Sequence, residues 1–216
     1  SALEIGINDN LIFDYIKKKF NTSIIDRSDL QLKKNQKNNN FNFIEIDIEN
    51  INLKENKYDL IYSNHFLNLF IDFEKTLNII SSSLKKNGFF LCAIPDRQSM
   101  FQLFNSMYKT DLFLYDGAYQ RINPTIEIDN IFPILKKLNF ESPNIYSDSF
   151  TIEYKNFKKL LKDIQGMNLS YCYIDKKNKF ESKKYFQTLE EFYRESFFDK
   201  NYKLEIKINL ISAWKN

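Results

Sequence analysis

The sequence predicts an α/β fold built on a mostly parallel central sheet, with one antiparallel strand near the C-terminus and a helical insertion before it. Two patterns carry that expectation. In the first half, short apolar runs alternate with stretches of helical periodicity, the order that parallel strands joined by crossover helices require. Near the end, Tyr202, Leu204, Ile206, Ile208 and Leu210 alternate with Lys203, Glu205, Lys207 and Asn209, a period of two that marks a strand with one wetter face.

The elements follow in order. Leu3 to Gly6 reads as the first strand, and Leu11 to Phe20 as the first helix, with Leu11, Ile12, Tyr15, Ile16 and Phe20 at helical spacing. Thr22 to Ile25 forms a second strand ending at Asp26, and Phe41 to Ile46 a third ending at Asp47. The polar run from Lys33 to Asn40 between them reads as a loop or a frayed helix end. Tyr58 to Ser63 is a continuous apolar run of the kind found in a central strand buried on both faces. Phe73 to Leu84 is a helix with Leu77, Ile80 and Leu84 inward and Asn87-Gly88 as its stop, and Phe89 to Ile94 is a fifth strand ended by Pro95. Met100 to Tyr108 and Ile128 to Leu138 are helical, and Asn144 to Phe150 is a sixth strand. Phe157 to Ile164 and Tyr185 to Phe197 are two further helices, the first capped by a left-handed Gly166. Phe192, Tyr193, Phe197 and Phe198 read as core or as a cover on the sheet.

Composition narrows the function classes. A net charge of +3 with scattered lysines gives no nucleic-acid footprint. Cys92 and Cys172 form neither a disulfide framework nor a zinc spacing, so no metal site is expected and a reducing compartment is the simpler reading. No run approaches the roughly 18 apolar residues of a membrane span, and no basic-then-apolar leader is legible.

In an open parallel sheet, ligands settle outside the carboxyl ends of the strands. Those ends carry Gly6 to Asn10, Asp26, Asp47-Ile48, Ser63-Asn64-His65 and Pro95-Asp96-Arg97. A carboxylate such as Asp26 can accept from both hydroxyls of a ribose, and Asp47 from an exocyclic adenine amine while Ile48 packs on the ring. His65, the one histidine, reads either as a structural residue or as a general base beside Asn64. Arg121, next to Tyr119 and Gln120, reads either as a surface residue or as a carboxylate-binding fork.

The succession EIGINDN, IIDRS, FIEIDIENINL, YDLIYSN and LKKNGFFLCAIP resembles the ordered motifs of the class I S-adenosylmethionine-dependent methyltransferases. YDGAYQRINP, DIQGMNLSYC, EEFYRESF and LISAWK are similar to segments of one branch, which contains mitochondrial complex I assembly factor 5 and the malonyl-acyl-carrier-protein O-methyltransferases. The resemblance implies a Rossmann-like single domain over 1–216, with a cofactor-binding half at 1–96 and a substrate or partner half at 97–216 whose helical insertion spans 155–198. It implies S-adenosylmethionine as cofactor, held by Glu4, Gly6, Asn8, Asp26, Asp47, Ile48 and Ser63. Asn64 and His65 would lie at the reacting methyl, and Tyr119 and Arg121 at the substrate. Asn8 and Asn10 stand where the family's first motif has glycines, and asparagine tolerates left-handed backbone better than most residues. The implied activity is methyl transfer to a small-molecule or protein acceptor. The alternatives are an assembly-factor-like protein tied to arginine hydroxylation of a protein client, or a fold without cofactor. An acyl carrier or protein client is the implied partner, and bacterial cytoplasm or mitochondrial matrix the implied setting.

Overall fold

The structure is a computed structural model that describes residues 1–6, 11–26, 42–45, 52–70, 72–121, 127–166 and 181–216. Its strands are β1 (Ala2–Ile5), β2 (Thr22–Asp26), β3 (Asn42–Glu45), β4 (Tyr58–Asn64), β5 (Leu84–Pro95), β6 (Phe140–Tyr154), β7 (Phe198–Asp199) and β8 (Asn201–Lys215). The helices are α1 (Leu11–Ile16), α2 (Phe73–Ser83), α3 (Phe101–Tyr115), α4 (Ile128–Lys137), α5 (Phe157–Gly166) and α6 (Lys183–Phe197), with a 3-10 turn at Leu67–Leu69.

The sheet runs β3-β2-β1-β4-β5-β8-β6, with β7 paired to β8. β1 pairs in parallel with β2 and β4, β2 with β3, and β4 with β5, whereas β7 and β8 form an antiparallel hairpin. The mostly parallel sheet with an antiparallel C-terminal part is therefore as expected. Strand order reverses direction between β1 and β4, which is where an open parallel sheet forms its ligand crevice.

The chain divides into two compact units. The first comprises 1–94, 126–147 and 209–216, and the second 95–125 and 148–208. In the first unit Leu3, Ile5, Ile25, Ile61 and Phe90 are fully buried strand residues, the hydrophobic runs of strands covered on both faces. Leu77, Ile80 and Leu84 point inward as the periodicity requires, and Asp72 caps α2 by accepting from the Lys75 N–H at 2.8 Å. The second unit packs α3, α5 and α6 around an aromatic centre. Phe157, Tyr193 and Tyr202 lie with ring centroids 5.2 to 5.9 Å apart, and the Tyr193 hydroxyl donates to the Lys203 carbonyl at 2.6 Å.

Several expectations change. The first helix is shorter than its apolar pattern. It ends at Ile16 and buries only Phe13, because a tightened turn carries Lys19 and Phe20 back onto the Ile16 carbonyl. Ile16 and Phe20 do pack on Ala2, Leu60 and Tyr62, but Leu11 and Tyr15 are exposed. Asn87-Gly88 does not stop α2, which ends at Ser83. Tyr58 pairs with Leu84 and Leu60 with Phe89, so Lys85 to Gly88 stand as a bulge opposite Asp59 within β5. Asn87 there adopts φ +60°, and a Cβ on Gly88 would meet the Lys85 carbonyl oxygen at 2.8 Å.

The α3 helix runs seven residues past the predicted Tyr108, to Tyr115, and β6 extends beyond Asn144 to Phe150 at both ends. Gly166 is the final residue of α5, and Met167 lies outside the described residues, as does the run from Lys33 to Asn40. In β8 the alternation slips by one residue. Tyr202, Leu204 and Ile206 are buried, then Asn209, Ile211 and Ala213, so Leu210 is exposed rather than inward. The Ser147 hydroxyl donates to the buried Asn209 Oδ1 at 2.7 Å, which offsets part of the cost of placing an amide in the core.

Gly88→Ala should destabilise the protein by about 1–3 kcal/mol, because two carbonyls and the Leu84 side chain leave no room for a methyl. Urea denaturation followed by circular dichroism measures this, and an unchanged midpoint would show that the bulge relaxes freely.

Candidate functional site

The strand register assembles the candidate site in rows. Ile5 pairs with Ile25 on one side and with Ser63 on the other. One step further along, Gly6, Asp26 and Asn64 therefore form the next row, with Ala93 opposite Asn64 and Glu45 opposite Asp26. Adjacent strands lie about 4.8 Å apart, so Asp26 and Asn64 flank Gly6 on either side at roughly that spacing. One period back on the same face stand Glu4 and Tyr62, which are paired across β1 and β4. The structure thus brings together Glu4, Gly6, Asp26, Ser63, Asn64 and, directly after the strand, His65. Asn8, Asp47 and Ile48 lie outside the described residues.

Gly6 turns the chain at φ +87° while its N–H donates to the Ile25 carbonyl at 2.8 Å. A Cβ at this position would stand 2.3 to 2.5 Å from the Phe66 side chain, so only glycine permits both this backbone and this neighbour. Phe66 meets Phe70 edge to face, with centroids 6.0 Å apart. Ser63 points to the opposite face and donates to the Ile5 carbonyl at 2.8 Å, locking β4 to β1 at the row before the site. His65 adopts φ +53°, and its N–H donates to the Ala93 carbonyl at 2.8 Å.

Four ionisable groups set the electrostatics. Glu4 and Asp26 are both buried, at 3% and 4% exposure, which is unusual for carboxylates without a role. Burial, and then the neighbouring Glu4 charge, push the Tyr62 hydroxyl far above its ordinary range. Burial lowers the His65 imidazole below its ordinary value of 6.5, so it is neutral at neutral pH. This donor set fits a nucleoside cofactor. A buried carboxylate at the end of β2 suits a diol. Among the described residues, no group of three or more His, Cys, Asp and Glu side chains is placed to hold a metal ion.

Tyr119 and Arg121 belong to the second unit. Arg121 Nε donates to Asp111 Oδ2 at 2.8 Å, and its Nη2 contacts Asp111 Oδ1 and donates to Glu181 Oε1 at 2.9 Å. The guanidinium stacks 4.5 Å from the Tyr185 ring and 5.7 Å from that of Tyr119. Asp111 is almost wholly buried and also accepts the Tyr119 N–H at 3.1 Å. The Tyr115 hydroxyl donates to Glu181 Oε2 at 2.6 Å, which pushes its pKa up to about 12. The fork predicted at Arg121 therefore grips carboxylates, but two that belong to this chain. Sequence reasoning missed Asp111, Glu181 and Tyr185 as its partners, since they lie 10 to 64 residues away in sequence and share no motif with it. It also missed Phe66, whose only signal is an aromatic two residues past Asn64.

A parallel sheet that reverses direction beside β1, with a glycine turn after it and a carboxylate ending β2, is the architecture of the class I, S-adenosylmethionine-dependent methyltransferases. Residues 23–193 match the family described as a methyltransferase domain, and the chain belongs to that family. It is 30% identical over 209 residues to malonyl-[acyl-carrier protein] O-methyltransferase 1 of Ilyobacter polytropus, covering 93% of this chain and 74% of that one. It is 25% identical over 182 residues to the mitochondrial arginine-hydroxylase NDUFAF5 of Homo sapiens, covering 82% of this chain and 52% of that one. The chain therefore spans about half the length of the second relative. Among solved structures, the YcgJ protein of Bacillus subtilis superposes over 100% of this chain and 91% of its own with a TM-score of 0.65 at 11% identity. The phosphoethanolamine N-methyltransferase 2 of Haemonchus contortus, solved with S-adenosyl-L-methionine, does so over 99% and 48% with a TM-score of 0.57 at 18% identity. These two likenesses concern the fold alone. Among the described residues no helix is long and apolar enough to cross a membrane.

Removing the Arg121 side chain leaves a buried carboxylate uncompensated, so Arg121→Ala should cost roughly 3–5 kcal/mol of stability. Chemical denaturation checks this, and a loss below about 1 kcal/mol would mean that the cluster relaxes into water. For His65 the folded pKa is depressed, so its contribution is complete above 6.5 and is lost as pH falls below that value. Between about pH 7.5 and pH 5.5 the wild type should therefore lose more melting temperature than His65→Asn, which tolerates the same backbone. Parallel curves for the two proteins would contradict it.

Proposed function

We propose that this chain binds S-adenosylmethionine at the carboxyl ends of β1, β2 and β4 and directs its methyl group to an acceptor carboxylate, hydroxyl or nitrogen. The observation that carries this reading is the row Gly6, Asp26 and Asn64, which sets a buried carboxylate beside a glycine turn in a member of the methyltransferase domain family. Asp26 would hold the ribose hydroxyls, with Glu4 and Gly6 shaping the turn beside it, and Asn8, Asp47 and Ile48 are assigned to the same cofactor from their motif positions. When bound, the cofactor supplies a methyl group on a positively charged sulfur, already electrophilic, so the protein's task is alignment and exclusion of water.

Asn64 can hydrogen-bond an acceptor oxygen through its amide. Neutral His65 can take the proton of a hydroxyl or amine acceptor, whereas a carboxylate acceptor requires no base. A carboxylate is favoured by the 30% identity to an enzyme named for O-methylation of a malonyl group on acyl carrier protein. In the second unit, Tyr119 is assigned to acceptor recognition with Arg121 as the residue that positions it. A second reading, client hydroxylation at arginine, draws on the relatives named as arginine-hydroxylases. Either setting, bacterial cytoplasm or mitochondrial matrix, accords with these relatives.

Calorimetric titration with S-adenosylhomocysteine tests the cofactor site. Wild type should bind, and Asp26→Asn should bind roughly 10- to 100-fold more weakly, the value of hydrogen bonds to a charged acceptor. Equal affinity in the two proteins would remove Asp26 from the site. A client that gains the mass of a methylene supports methyl transfer, and one that gains an oxygen supports the second reading.

A further inference from the structure

The second unit contains a groove that takes no part in the cofactor row. It lies between α5 and α6, encloses about 640 Å³, and has Phe157, Leu161 and Phe186 among its apolar lining. Its cationic rim consists of Lys158 and Lys162 on α5 and Lys183 at the start of α6. None of these three lysines has an ion-pair partner among the described residues. Among the described residues of the lining, the only acid, Glu190, is already engaged within the protein: its Oε1 accepts from the Tyr202 hydroxyl and lies 4.0 Å from Arg194 Nη1. Among the described residues, the groove therefore presents uncompensated positive charge above an apolar floor.

We infer that this groove docks an acidic amphipathic helix of a partner protein. Two helical walls with an open side suit a helix laid lengthwise, its apolar residues entering at Leu161 and Phe186. Lys158 and Lys162 are four residues apart on one helix, about 6 Å along its axis, which matches carboxylates at the same interval on an opposing helix. Lys183 supplies the countercharge from the other wall. The surface is an attachment point for a protein, independent of the chemistry assigned to the first unit. It stands or falls without the methyl-transfer reading.

The test uses the full chain and a fluorescein-labelled amphipathic helical peptide with a leucine stripe flanked by glutamates four residues apart. Fluorescence anisotropy should show saturable binding that weakens as salt rises from about 50 to about 300 mM. The variants K158E/K162E/K183E and Phe186→Asp alter exposed side chains, and each should weaken binding about tenfold or more while the melting temperature and S-adenosylhomocysteine titration stay as in wild type. Equal binding of a sequence-scrambled peptide of the same composition would overturn the proposal, as would unchanged affinity in both variants. Displacement of the peptide by phosphatidylglycerol vesicles, with no loss in either variant, would assign the anion affinity to a lipid surface elsewhere and overturn it too.

Discussion

The contact between Gly6 and Phe66 is the constraint on which the rest of the first unit depends. The chain leaves β1 with a positive φ, and the Phe66 side chain occupies the volume that any other residue's Cβ would need. Because Gly6 is tied to β2 through its N–H and Phe66 follows directly from β4, this single contact holds three strand ends in one plane of register. Asp26 and Asn64 inherit their positions from it.

Much of this was legible in the sequence because the parallel strands are short, apolar and buried on both faces, which leaves little ambiguity in type. Ala2–Ile5, Thr22–Asp26 and Tyr58–Asn64 fall where the runs of apolar residues place them, and the strand-end acids follow from that placement. What was not legible depended on long-range pairing. Asn87-Gly88 looks like a helix stop in any local window, yet the register of β4 against β5 turns it into a bulge. The Leu11 to Phe20 pattern counts as amphipathic, but a turn after Ile16 leaves only part of that pattern on the sheet. The candidate site divides likewise. Glu4, Asp26 and Asn64 were readable from strand ends, whereas Asp111 and Glu181 became visible only once Arg121 had found them.

Arg121 illustrates how a functional-looking residue can have its chemistry satisfied at home. A guanidinium between two carboxylates and two tyrosine rings is well held, since its planar fork meets Asp111 through two donors and its faces meet aromatic carbon. The cluster fixes the backbone at Tyr119 as well, through the Asp111 carboxylate. Its carboxylates outnumber its one cation, and the Tyr115 proton shared with Glu181 moderates that excess.

The slip in β8 gives one strand two parities. Up to Ile206 the even-numbered positions are inward, and from Asn209 the odd-numbered ones are. The two stretches therefore read their buried sets in different frames, much as a message does after an insertion. A chain that lost or gained one residue between them would restore unbroken alternation along the whole strand. It would do so with Asn209, Ile211 and Ala213 still inward and Leu210 and Trp214 still outward. The extra residue is thus what changes the parity of β8, and the length of this strand is as much a part of its specification as its side chains.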